Sequence, residues 1–561
     1  MNEPNDEIEV EVRGMTCDSC AAHVTRALEG VSGVQNVRVP GWQSGRASLV
    51  ASLAVADEAL RDAVRQAGYQ VVSIKRQLRA GRTAAASIPD ADFDLAVIGT
   101  GGGGMGAAIK AAELGKRVCL IEAGVIGGTC VNIGCVPSKT LIRAAAAYHS
   151  AGHPSFAGVH TSASGVDWPT VIAQKDNLVG ELRQNKYEDV IASYGEHITL
   201  ARSRARLRPD GAVAFEDGNV CRASRVVIAT GARPAILPLD GIDRVPVLDS
   251  TSAMALESRP RSLIIIGGRA IALELGQAFA RFGTQVTILQ RSARLIPEHE
   301  PEIADELAAA LREEGLVIHT GAQPRAIRQD NGEKVILADV NGVPAEFRAE
   351  QVLMAVGRTP NTGNMGLEDA GVKLDARGFI VVDDMMQTSN PMIYAVGDVT
   401  TLPKLVYVAA MAGGIAAQNA LGEDEKRLDL TVLPDVIFTD PQAATVGLTE
   451  AAARERGYEV QVSQLPMAYV PRALAARDTR GIIKLIADKD SGRLLGAHVL
   501  AAEAGEVIQT AALAVRFGLR FGFSVNDLSE MLFPYLTQSE GLKLAAIAFK
   551  KDVAQLSCCA N

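Results

Sequence analysis

The sequence predicts an α/β protein with two βαβ units at its centre, a small βαββαβ domain before them and an α+β domain after them. Three observations support this. At residues 94–124 and 262–291, an apolar strand runs into a glycine turn, a helix and a second strand. A separate block over 7–76 alternates short strands with helices, and from about 430 the pattern changes to short strands followed by helical stretches.

Length and composition limit the class of protein. A chain of 561 residues needs about three or four domains, because single domains usually hold about 100–200 residues. Its net charge of −9 argues against nucleic acid as the main partner, since phosphate binding needs a basic surface. The acidic start lacks the apolar stretch of a signal peptide, and no apolar run is long enough to span a bilayer. We therefore expect a cytoplasmic protein without stable membrane association.

The leading block predicts a small domain. Stretches such as EIEVEVR and YQVVSI predict strands, whereas SCAAHVTRALEG and DEALRDAVRQAG predict helices. The order βαββαβ is typical of a ferredoxin-like domain. Residues 78–91 have no consistent period and are rich in Ala, Arg and small polar residues, which predicts a linker.

The first βαβ unit carries a glycine fingerprint. Gly99, Gly101 and Gly104 form G-x-G-x-x-G after a strand and at the start of a helix. Such glycines permit a tight turn and let a pyrophosphate approach the helix N-terminus. Glu122 ends the next strand, where a carboxylate would accept hydrogen bonds from ribose hydroxyls. The four positions together favour a dinucleotide site over a purely structural turn.

The second βαβ unit keeps the spacing of the first but not its glycines. In both units the residue that ends the second strand lies 23 positions after the first glycine (122 − 99 = 23; 290 − 267 = 23). After Gly267, however, Arg269 and Ala272 occupy the second and third glycine positions. We expect a second dinucleotide site here, with a vestigial fold element that binds nothing as the alternative.

The end of that second strand bears on the choice of nicotinamide cofactor. Gln290 stands where an acid would hold the 2′-hydroxyl of NAD, and Arg291 and Arg294 follow it. Arginines beside a missing acid favour a 2′-phosphate, which they can bind through charge-assisted hydrogen bonds. The sequence therefore predicts NADPH at the second site.

The chain has eight cysteines, and six of them fall into three close pairs. In a reducing cytosol such pairs suggest metal binding or redox catalysis rather than a disulfide framework. The remaining two, Cys119 in an apolar strand and Cys221, we interpret as small structural residues of the core.

The pair Cys130 and Cys135 requires a bent backbone. Five residues of regular helix rise about 7.5 Å, whereas disulfide partners need Cα atoms within about 7 Å. Gly134 and Pro137 supply the means for the bend. A cysteine at a helix start is also acidified, which favours the reactive thiolate. We therefore predict a redox-active pair rather than two buried apolar cysteines.

The segment around this pair, GGTCVNIGCVPSK, resembles the active-site stretch of the flavoprotein disulfide reductases, and the resemblance extends over roughly residues 92–561. ATGARP at 229–234 and YAVGD at 394–398 support it. The resemblance implies FAD at the first dinucleotide site. It also implies that Cys135 makes the charge-transfer contact with the flavin and that Cys130 attacks the substrate.

The same resemblance implies further cofactor-binding residues. Asp398 would bind the ribitol, and Lys139 would lie near the flavin ring, paired with Glu274. Other positions would contact the cofactor largely through backbone or packing: Gly124, Thr129, Ala205, Gly231 and Val406.

One departure from these reductases bears on the substrate. The family supplies a proton donor for the leaving thiolate as a C-terminal His followed five positions later by a Glu. Glu540 fits the acid, but Tyr535 stands at the His position. A phenol with a pKa of about 10 is a poor proton shuttle at neutral pH. Reduction of organic disulfides is therefore not expected.

The two other cysteine pairs suggest a soft metal ion. Cys17 and Cys20, in GMTCDSC, resemble the ligands of heavy-metal-associated domains, with a redox C-x-x-C as the alternative. Cys558 and Cys559 stand near the C-terminus, where a chance pair on a frayed tail is the alternative. Thiolates without imidazole or carboxylate partners favour soft ions of low coordination number.

Taken together, these features resemble the mercuric reductases within the flavoprotein disulfide reductase family. The resemblance implies Hg(II), delivered as a thiol complex, as the substrate, and reduction to Hg(0). It implies that Tyr187 and Tyr535 flank the bound ion, although a place in the core is the alternative for each tyrosine. It further implies a homodimer in which the Cys558/Cys559 tail reaches the partner subunit's active site.

With this resemblance, the expected domains follow in chain order: a heavy-metal-associated domain (1–77), a linker (78–91), the FAD-binding domain (92–233), the NADPH-binding domain (234–354), the rest of the FAD-binding domain (355–429) and the dimerisation domain with its Cys-Cys tail (430–561). Two rival functions stay open from the sequence. One is a disulfide or lipoamide reductase with an appended metal-binding domain. The other is a metal-binding or metal-sensing protein whose flavin domain is regulatory.

Overall fold

The computed structural model describes residues 5–15, 18–52, 55–78 and 92–555, and the chain divides into two compact units, 1–89 and 90–561. Cys17, Cys558 and Cys559, which the sequence singles out as metal ligands, lie outside the described residues. Within the described ranges, none of the helices combines the length and the apolarity that a membrane-spanning segment requires.

The first unit has the predicted βαββαβ order. Its elements are β1 (Asn5–Arg13), α1 (Asp18–Glu29), β2 (Val34–Arg38), β3 (Arg46–Ser52), α2 (Asp57–Gln66) and β4 (Gln70–Leu78). They form one sheet in the order β2-β3-β1-β4. Ile8, Val10 and Val12 alternate along β1 and are buried with Leu28 and Leu60 from the two helices. Burial of one sheet face against both helices therefore builds this core.

The second unit begins with the first Rossmann-like domain. Its elements are β5 (Phe93–Ile98), α3 (Gly102–Glu113), β6 (Val118–Glu122), α4 (Gly128–Ile133), α5 (Cys135–Gly152), α6 (Trp168–Arg183), a π-helical turn (Gln184–Glu188), α7 (Asp189–Ser193), β7 (Ile198–Arg202), β8 (Ala205–Leu207), β9 (Val213–Phe215), β10 (Val220–Cys221), β11 (Ala223–Ile228) and β12 (Ala232–Pro234).

The second Rossmann-like domain follows, and the chain then returns to the first. The elements are α8 (Ser250–Ala253), β13 (Ser262–Ile266), α9 (Ala270–Arg281), β14 (Gln285–Gln290), α10 (Pro301–Glu313), β15 (Val317–Thr320), β16 (Ala322–Asp330), β17 (Glu333–Val340), β18 (Val343–Ala349), β19 (Gln351–Met354) and β20 (Arg358–Pro360), then β21 (Ile393–Ala395) and α11 (Val406–Leu421).

Two parallel sheets organise these segments. The first has the order β21-β11-β5-β6-β7 and the second the order β15-β14-β13-β19. A three-stranded antiparallel sheet accompanies each of them, β10-β9-β8 and β16-β17-β18. In β5 and β13 the last four residues are all buried, as expected for parallel strands covered on both faces. The carboxyl ends of β5 and β13 lead into the two glycine turns.

Helix α3, which follows the first glycine turn, packs backbone to backbone against α11. A Cβ atom on Gly106 would lie 2.5 Å from the carbonyl oxygen of Ala410, and one on Gly413 would lie 2.1 Å from that of Gly103. Only glycine permits such an approach. The contact fixes the N-terminus of α3 beside that of α11.

The C-terminal part is an α+β domain, as predicted. Its elements are β22 (Asp435–Ile437), β23 (Gln442–Gly447), α12 (Glu450–Glu455), β24 (Val460–Pro466), α13 (Pro471–Ala476), β25 (Ile482–Asp488), β26 (Leu494–Ala501), α14 (Ala504–Phe521), α15 (Val525–Glu530) and α16 (Glu540–Ile547). The strands form one antiparallel sheet in the order β22-β23-β26-β25-β24. Every residue of β25 and β26 is buried, so this sheet is the centre of the domain.

Candidate active site

Cys130 and Cys135 lie on either side of a sharp bend. Cys130 is in α4 and Cys135 is the first residue of α5, with Gly134 between the two helices. A Cβ atom on Gly134 would lie 2.9 Å from the carbonyl oxygen of Thr129, so the bend depends on glycine. Pro137 is buried in the first turn of α5, where proline is tolerated. The predicted bend is confirmed, and it brings the two thiols into hydrogen-bond contact.

The two thiols differ in acidity. The Cys130 thiol donates a hydrogen bond to Cys135, and together with the positive charge of Lys139 this lowers the pKa of Cys135 to about 7. The same hydrogen bond and burial raise the pKa of Cys130. Cys135 is exposed and Cys130 half-buried. At neutral pH Cys135 is thus partly ionised beside a protonated Cys130, which is the reactive arrangement.

This acidity predicts a pH profile for alkylation of Cys135. Its pKa is lowered, so the thiolate is present above pH 7 and is lost as the pH falls through 7. The rate of reaction with iodoacetamide should therefore fall about tenfold per pH unit well below that point. Mass spectrometry of the Cys135 peptide measures the alkylation rate at each pH.

Substitutions at Cys130 supply the matched controls for this profile. Cys130→Ala removes the donor and should move the profile to higher pH, whereas Cys130→Ser retains a hydroxyl donor and should move it less. Identical profiles for wild type and Cys130→Ala would show that the thiol contact does not acidify Cys135.

Lys139 is held by two residues from other parts of the chain. Its Nζ lies 2.7 Å from Glu274 Oε2 and 4.6 Å from the centre of the Phe438 ring. Glu274 is 5% exposed, and its other carboxylate oxygen accepts a hydrogen bond of 2.9 Å from the backbone N–H of Phe438. The predicted pairing of Lys139 with Glu274 is confirmed. The role of Phe438 was not predicted, because it belongs to the segment that enters the C-terminal domain.

Tyr187 lies beside the cysteine pair. It is part of the π-helical turn after α6, and its ring comes within 3.6 Å of the position that a Cβ atom on Gly127 would occupy. Burial, and then the negative charge that Cys130 and Cys135 can carry, raise the pKa of Tyr187. The tyrosine therefore stays a neutral O–H donor next to the two sulfurs.

Tyr535 lies apart from secondary structure, between α15 and α16, with 51% of its surface exposed. Glu540 begins α16 and accepts a hydrogen bond of 3.2 Å from the backbone N–H of Leu536. His498, the last histidine of the chain, is buried in β26, where burial lowers its pKa to about 4. It is therefore neutral at pH 7 and is not a substitute for the missing proton donor.

Glu122 organises the first glycine turn. One of its carboxylate oxygens accepts hydrogen bonds from the backbone N–H of Thr100 at 3.1 Å and from its hydroxyl at 2.5 Å. The other accepts from the N–H of Gly124 at 2.7 Å. The Thr100 hydroxyl in turn accepts from the N–H of Gly127 at 3.0 Å. Thr100, which sequence reasoning missed, thus links the turn to the segment that carries Cys130.

The glycines of the first turn allow the protein backbone around it to pack closely. Gly99 has φ +111°, and a Cβ atom there would lie 2.4 Å from the carbonyl oxygen of Ala229. A Cβ atom on Gly104 would lie 1.9 Å from the Gly99 carbonyl oxygen. Gly101 caps α3 and faces Gly128, where a Cβ atom would lie 2.5 Å from the Gly101 Cα. This cradle fits a dinucleotide pyrophosphate at the N-terminus of α3.

Asp398 has a partner that was not predicted. Arg358 Nε lies 3.2 Å from Asp398 Oδ2 in an orientation that makes no hydrogen bond, and it is a buried donor left without one. Burial raises the pKa of Asp398. Arg358 also lies 3.5 Å from the Thr129 hydroxyl. A half-buried carboxyl and an unused donor fit the polyol chain of a flavin cofactor. The sequence signal, GRTPN, was too short to single out this arginine.

The remaining predicted flavin-site positions are dispersed around this cradle. Val406 begins α11, and its side chain comes within 3.1 Å of the position of a Cβ atom on Gly102. Gly231 follows β11 with φ +68° and accepts a backbone hydrogen bond from Asn361. Ala205 begins β8 in the adjoining antiparallel sheet.

In the second glycine turn, as in the first, the chain packs too closely against neighbouring residues to admit a Cβ atom. A Cβ atom on Gly267 would lie 2.3 Å from the carbonyl oxygen of Ala355, and one on Gly268 would lie 2.9 Å from the side chain of Gln290. Arg269 caps α9 and pairs with Glu298 at 3.2 Å. The turn and the N-terminus of α9 therefore fit a second dinucleotide.

The two arginines after β14 differ in their contacts. Arg294 pairs with Asp305 at 3.2 Å, and its carbonyl oxygen accepts a hydrogen bond from Gln290. Arg291 is exposed beside the turn. Arg291 thus has the freer guanidinium for a cofactor phosphate.

Among the described residues, no three or more His, Cys, Asp or Glu side chains lie close enough together to bind a metal ion. Cys20 lies in α1 and packs, half-buried, against the core of the first unit.

Comparison with known families agrees with this arrangement. Residues 93–413 match the pyridine nucleotide-disulphide oxidoreductase family, residues 433–546 match its dimerisation domain, and residues 9–70 match the heavy-metal-associated domain.

Individual relatives and solved structures cover most of the chain. A mercuric reductase of Staphylococcus aureus is 44% identical over 98% of this chain and 99% of its own. One of Streptomyces lividans is 47% identical over 84% of this chain and 98% of its own. The HOCl-induced flavoprotein disulfide reductase RclA from Escherichia coli superposes with a TM-score of 0.72, at 31% identity, over 81% of this chain and 99% of its own.

Proposed function

Because the chain belongs to the mercuric reductase family of pyridine nucleotide-disulphide oxidoreductases, we propose that it reduces Hg(II) to Hg(0) with NADPH in the cytoplasm. The observation that carries the proposal is the pair Cys130 and Cys135, an exposed cysteine with a lowered pKa beside a second free thiol. Two converging sulfurs suit a soft cation of low coordination number. The net reaction converts NADPH and Hg²⁺ into NADP⁺, Hg(0) and H⁺.

The chain's own residues hold the reactants in place. When bound, FAD carries the electrons of NADPH to the active-site sulfurs. The α3 N-terminus, Glu122 and Asp398 would hold it, and the α9 N-terminus and Arg291 would hold NADPH. Lys139, fixed by Glu274 and Phe438, places a positive charge beside Cys135 and adds to the effect of Cys130 in lowering the pKa of that sulfur. Hg(II) enters by exchanging its thiol ligands for the two cysteine sulfurs, and both sulfurs are free again once Hg(0) leaves.

The tyrosines and the C-terminal domain support a dimeric site. Leu532 is 94% exposed and Phe521 76%, and Met531 and Tyr535 are also exposed in the same domain. Apolar side chains concentrated in this way mark a surface that a partner covers. A homodimer through this domain would bury them, and we propose that it brings Tyr535 to the partner subunit's cysteine pair, opposite Tyr187.

The tail is proposed to deliver the metal. Cys558 and Cys559 would take Hg(II) from small thiols or from Cys17 and Cys20. They would then pass it to Cys130 and Cys135 by thiol exchange. The variant Cys558→Ala/Cys559→Ala should then turn over glutathione-bound Hg(II) at least about tenfold more slowly, because it loses a donor that the dimer holds at high effective concentration.

A second substrate form supplies the control for the tail variant. Turnover of Hg(II) held by a weak ligand such as bromide should change less, since bromide exchanges without help. Equal rates for wild type and variant on the glutathione complex would contradict the delivery role.

The leading domain is proposed to raise efficiency rather than to catalyse. The relative from Streptomyces lividans aligns over 98% of its own length with 84% of this chain. A shorter protein is therefore also named a mercuric reductase. Truncation within the proposed linker, 78–91, should leave kcat for Hg(II) within about twofold of the full chain. Loss of activity in a folded, flavin-containing truncated protein would show that the domain belongs to the catalytic unit.

A substrate comparison tests the function against its rivals. NADPH oxidation by the purified protein is followed with Hg(II) and excess thiol, with glutathione disulfide and with lipoamide. Of these three substrates, the proposal expects NADPH oxidation only with the thiol-bound Hg(II). Oxidation with either disulfide would revive the disulfide reductase, and no metal-stimulated oxidation would favour a binding or sensing protein.

A further inference from the structure

Two cysteines outside the active site lie together in the core of the first Rossmann-like domain. Cys119 is in β6 and Cys221 ends β10, the edge strand of the adjoining antiparallel sheet. Each residue is only 3% exposed. Their burial confirms the prediction that both are core residues, but their proximity to each other was not predicted.

Strand geometry explains how they meet. Side chains along β6 point alternately to the two faces of the parallel sheet. Val118 and Leu120 pack into the core on one face, and Cys119 and Ile121 into the core on the other. Cys221 belongs to this second core. The antiparallel sheet therefore covers the face from which Cys119 projects.

The two thiols lie in the same core, where each influences the acidity of the other. The Cys221 thiol donates to Cys119, which lowers the pKa of Cys119 and raises that of Cys221. Burial opposes ionisation of both thiols, and the negative charge of Asp92 adds to the effect on Cys221. The pair resembles the arrangement at Cys130 and Cys135 chemically, but it is enclosed rather than exposed.

We propose that Cys119 and Cys221 form a second dithiol site that captures a soft, two-coordinate cation, Hg(II) above all, and that its occupation inactivates the enzyme. In the described part of the chain, no cluster of three or more potential ligands competes for such an ion. Two thiolates suit Hg(II) and disfavour harder ions that need more ligands. Capture of the ion goes beyond the proposed function, because it requires only that Hg(II) reaches the chain, whereas the inhibitory role rests on the proposed function.

The capture step is a ligand exchange without electron transfer. A bis-thiolate complex of Hg(II) with a small thiol loses two S–Hg bonds, and two S–Hg bonds to the cysteines form. The two S–H bonds of the cysteines break, and their protons leave on the two released small thiols. Because both sulfurs are 3% exposed, the exchange must wait for a local opening of the domain and should be slow.

Inactivation follows from the position of the site. Glu122 lies on the same strand as Cys119 and holds the first glycine turn through Thr100 and Gly124. A metal ion between Cys119 and Cys221 must widen a close-packed core, and packed interiors accommodate extra volume poorly. The displacement would shift β6 and with it the glycine turn that cradles the dinucleotide.

The test compares the flavin-containing full-length wild type with Cys119→Ala/Cys221→Ala, without NADPH. Both proteins are incubated with excess HgCl2, washed with glutathione to strip exposed sites, and analysed for mercury per chain and for residual activity. Wild type should retain one more Hg(II) per chain than the variant and lose activity progressively, whereas the variant should keep its activity. Cys119→Val/Cys221→Val, which preserves the apolar volume, serves if the alanine variant folds poorly.

Each result bears on the proposal. Equal mercury retention in wild type and both variants would overturn the site, and extra retention in wild type without faster inactivation would overturn its inhibitory role. Alkylation after unfolding, read by mass spectrometry, should find the Cys119 and Cys221 peptides blocked only in mercury-treated wild type. Mercury retention is measured without NADPH, so a failure of Hg(II) reduction would contradict the proposed function and leave the test of this site intact.

Discussion

Cys135→Ala protein is expected to lose Hg(II)-dependent NADPH oxidation by roughly 10³-fold or more, the scale on which enzymes lose activity when a nucleophile is removed. The physical reason is that Cys135 is the ionised member of the pair, with a pKa lowered to about 7. Without it Cys130 remains a protonated thiol, and Hg(II) has one sulfur instead of two. Steady-state NADPH absorbance with thiol-buffered Hg(II) measures the effect.

A matched cysteine variant controls for indirect damage. Cys221→Ala removes a thiol from the same domain but not from the active site, and it should retain nearly full turnover when excess thiol is present. The mechanism would have to be abandoned if Cys135→Ala retained comparable turnover with a normal flavin content.

Gly104→Ala is expected to abolish flavin binding. Its Cβ atom would lie 1.9 Å from the carbonyl oxygen of Gly99, so α3 would have to move away from the turn after β5. Overpacking of this kind costs about 1–3 kcal/mol or more, and here it also displaces the helix N-terminus that faces the pyrophosphate. The ratio of flavin to protein absorbance in the purified variant should fall to a small fraction of the wild-type value.

Gly180→Ala is the control for this second variant. Gly180 is also inside a helix, α6, but a Cβ atom there would meet no heavy atom within 4 Å. Alanine also has the higher helix propensity. Gly180→Ala should therefore keep its flavin and its stability. A full flavin complement in Gly104→Ala would refute the cradle assigned to the first glycine turn.

The sequence predicted those parts of the site that local geometry determines. The bend at Gly134 followed from the mismatch between helical rise and the reach of two cysteines, and the structure places it there. The acidity of Cys135 was expected from the start of α5, but its largest cause is the hydrogen bond from Cys130. The pairing of Lys139 with Glu274 followed from the family resemblance.

The contacts that the sequence missed depend on the packing of distant segments. Arg358 meets Asp398 only because β20 returns to the first domain, and Phe438 meets Lys139 only because the C-terminal domain begins beside α5 and α9. The contact of Cys119 with Cys221 depends on how β10 folds over the parallel sheet. None of these follows from spacing or periodicity. The setting of Tyr535 depends on a second chain and stays a proposal.

The most direct test of the proposed reaction is the number of Hg(0) atoms released for each NADPH consumed. The measurement is made without oxygen, with excess thiol, by collecting mercury vapour while NADPH absorbance is followed. Two electrons leaving each NADPH for Hg(II) require a ratio of one. NADPH consumed without mercury vapour would mean that the electrons from the cysteine pair go to another acceptor, and the proposed function would be wrong.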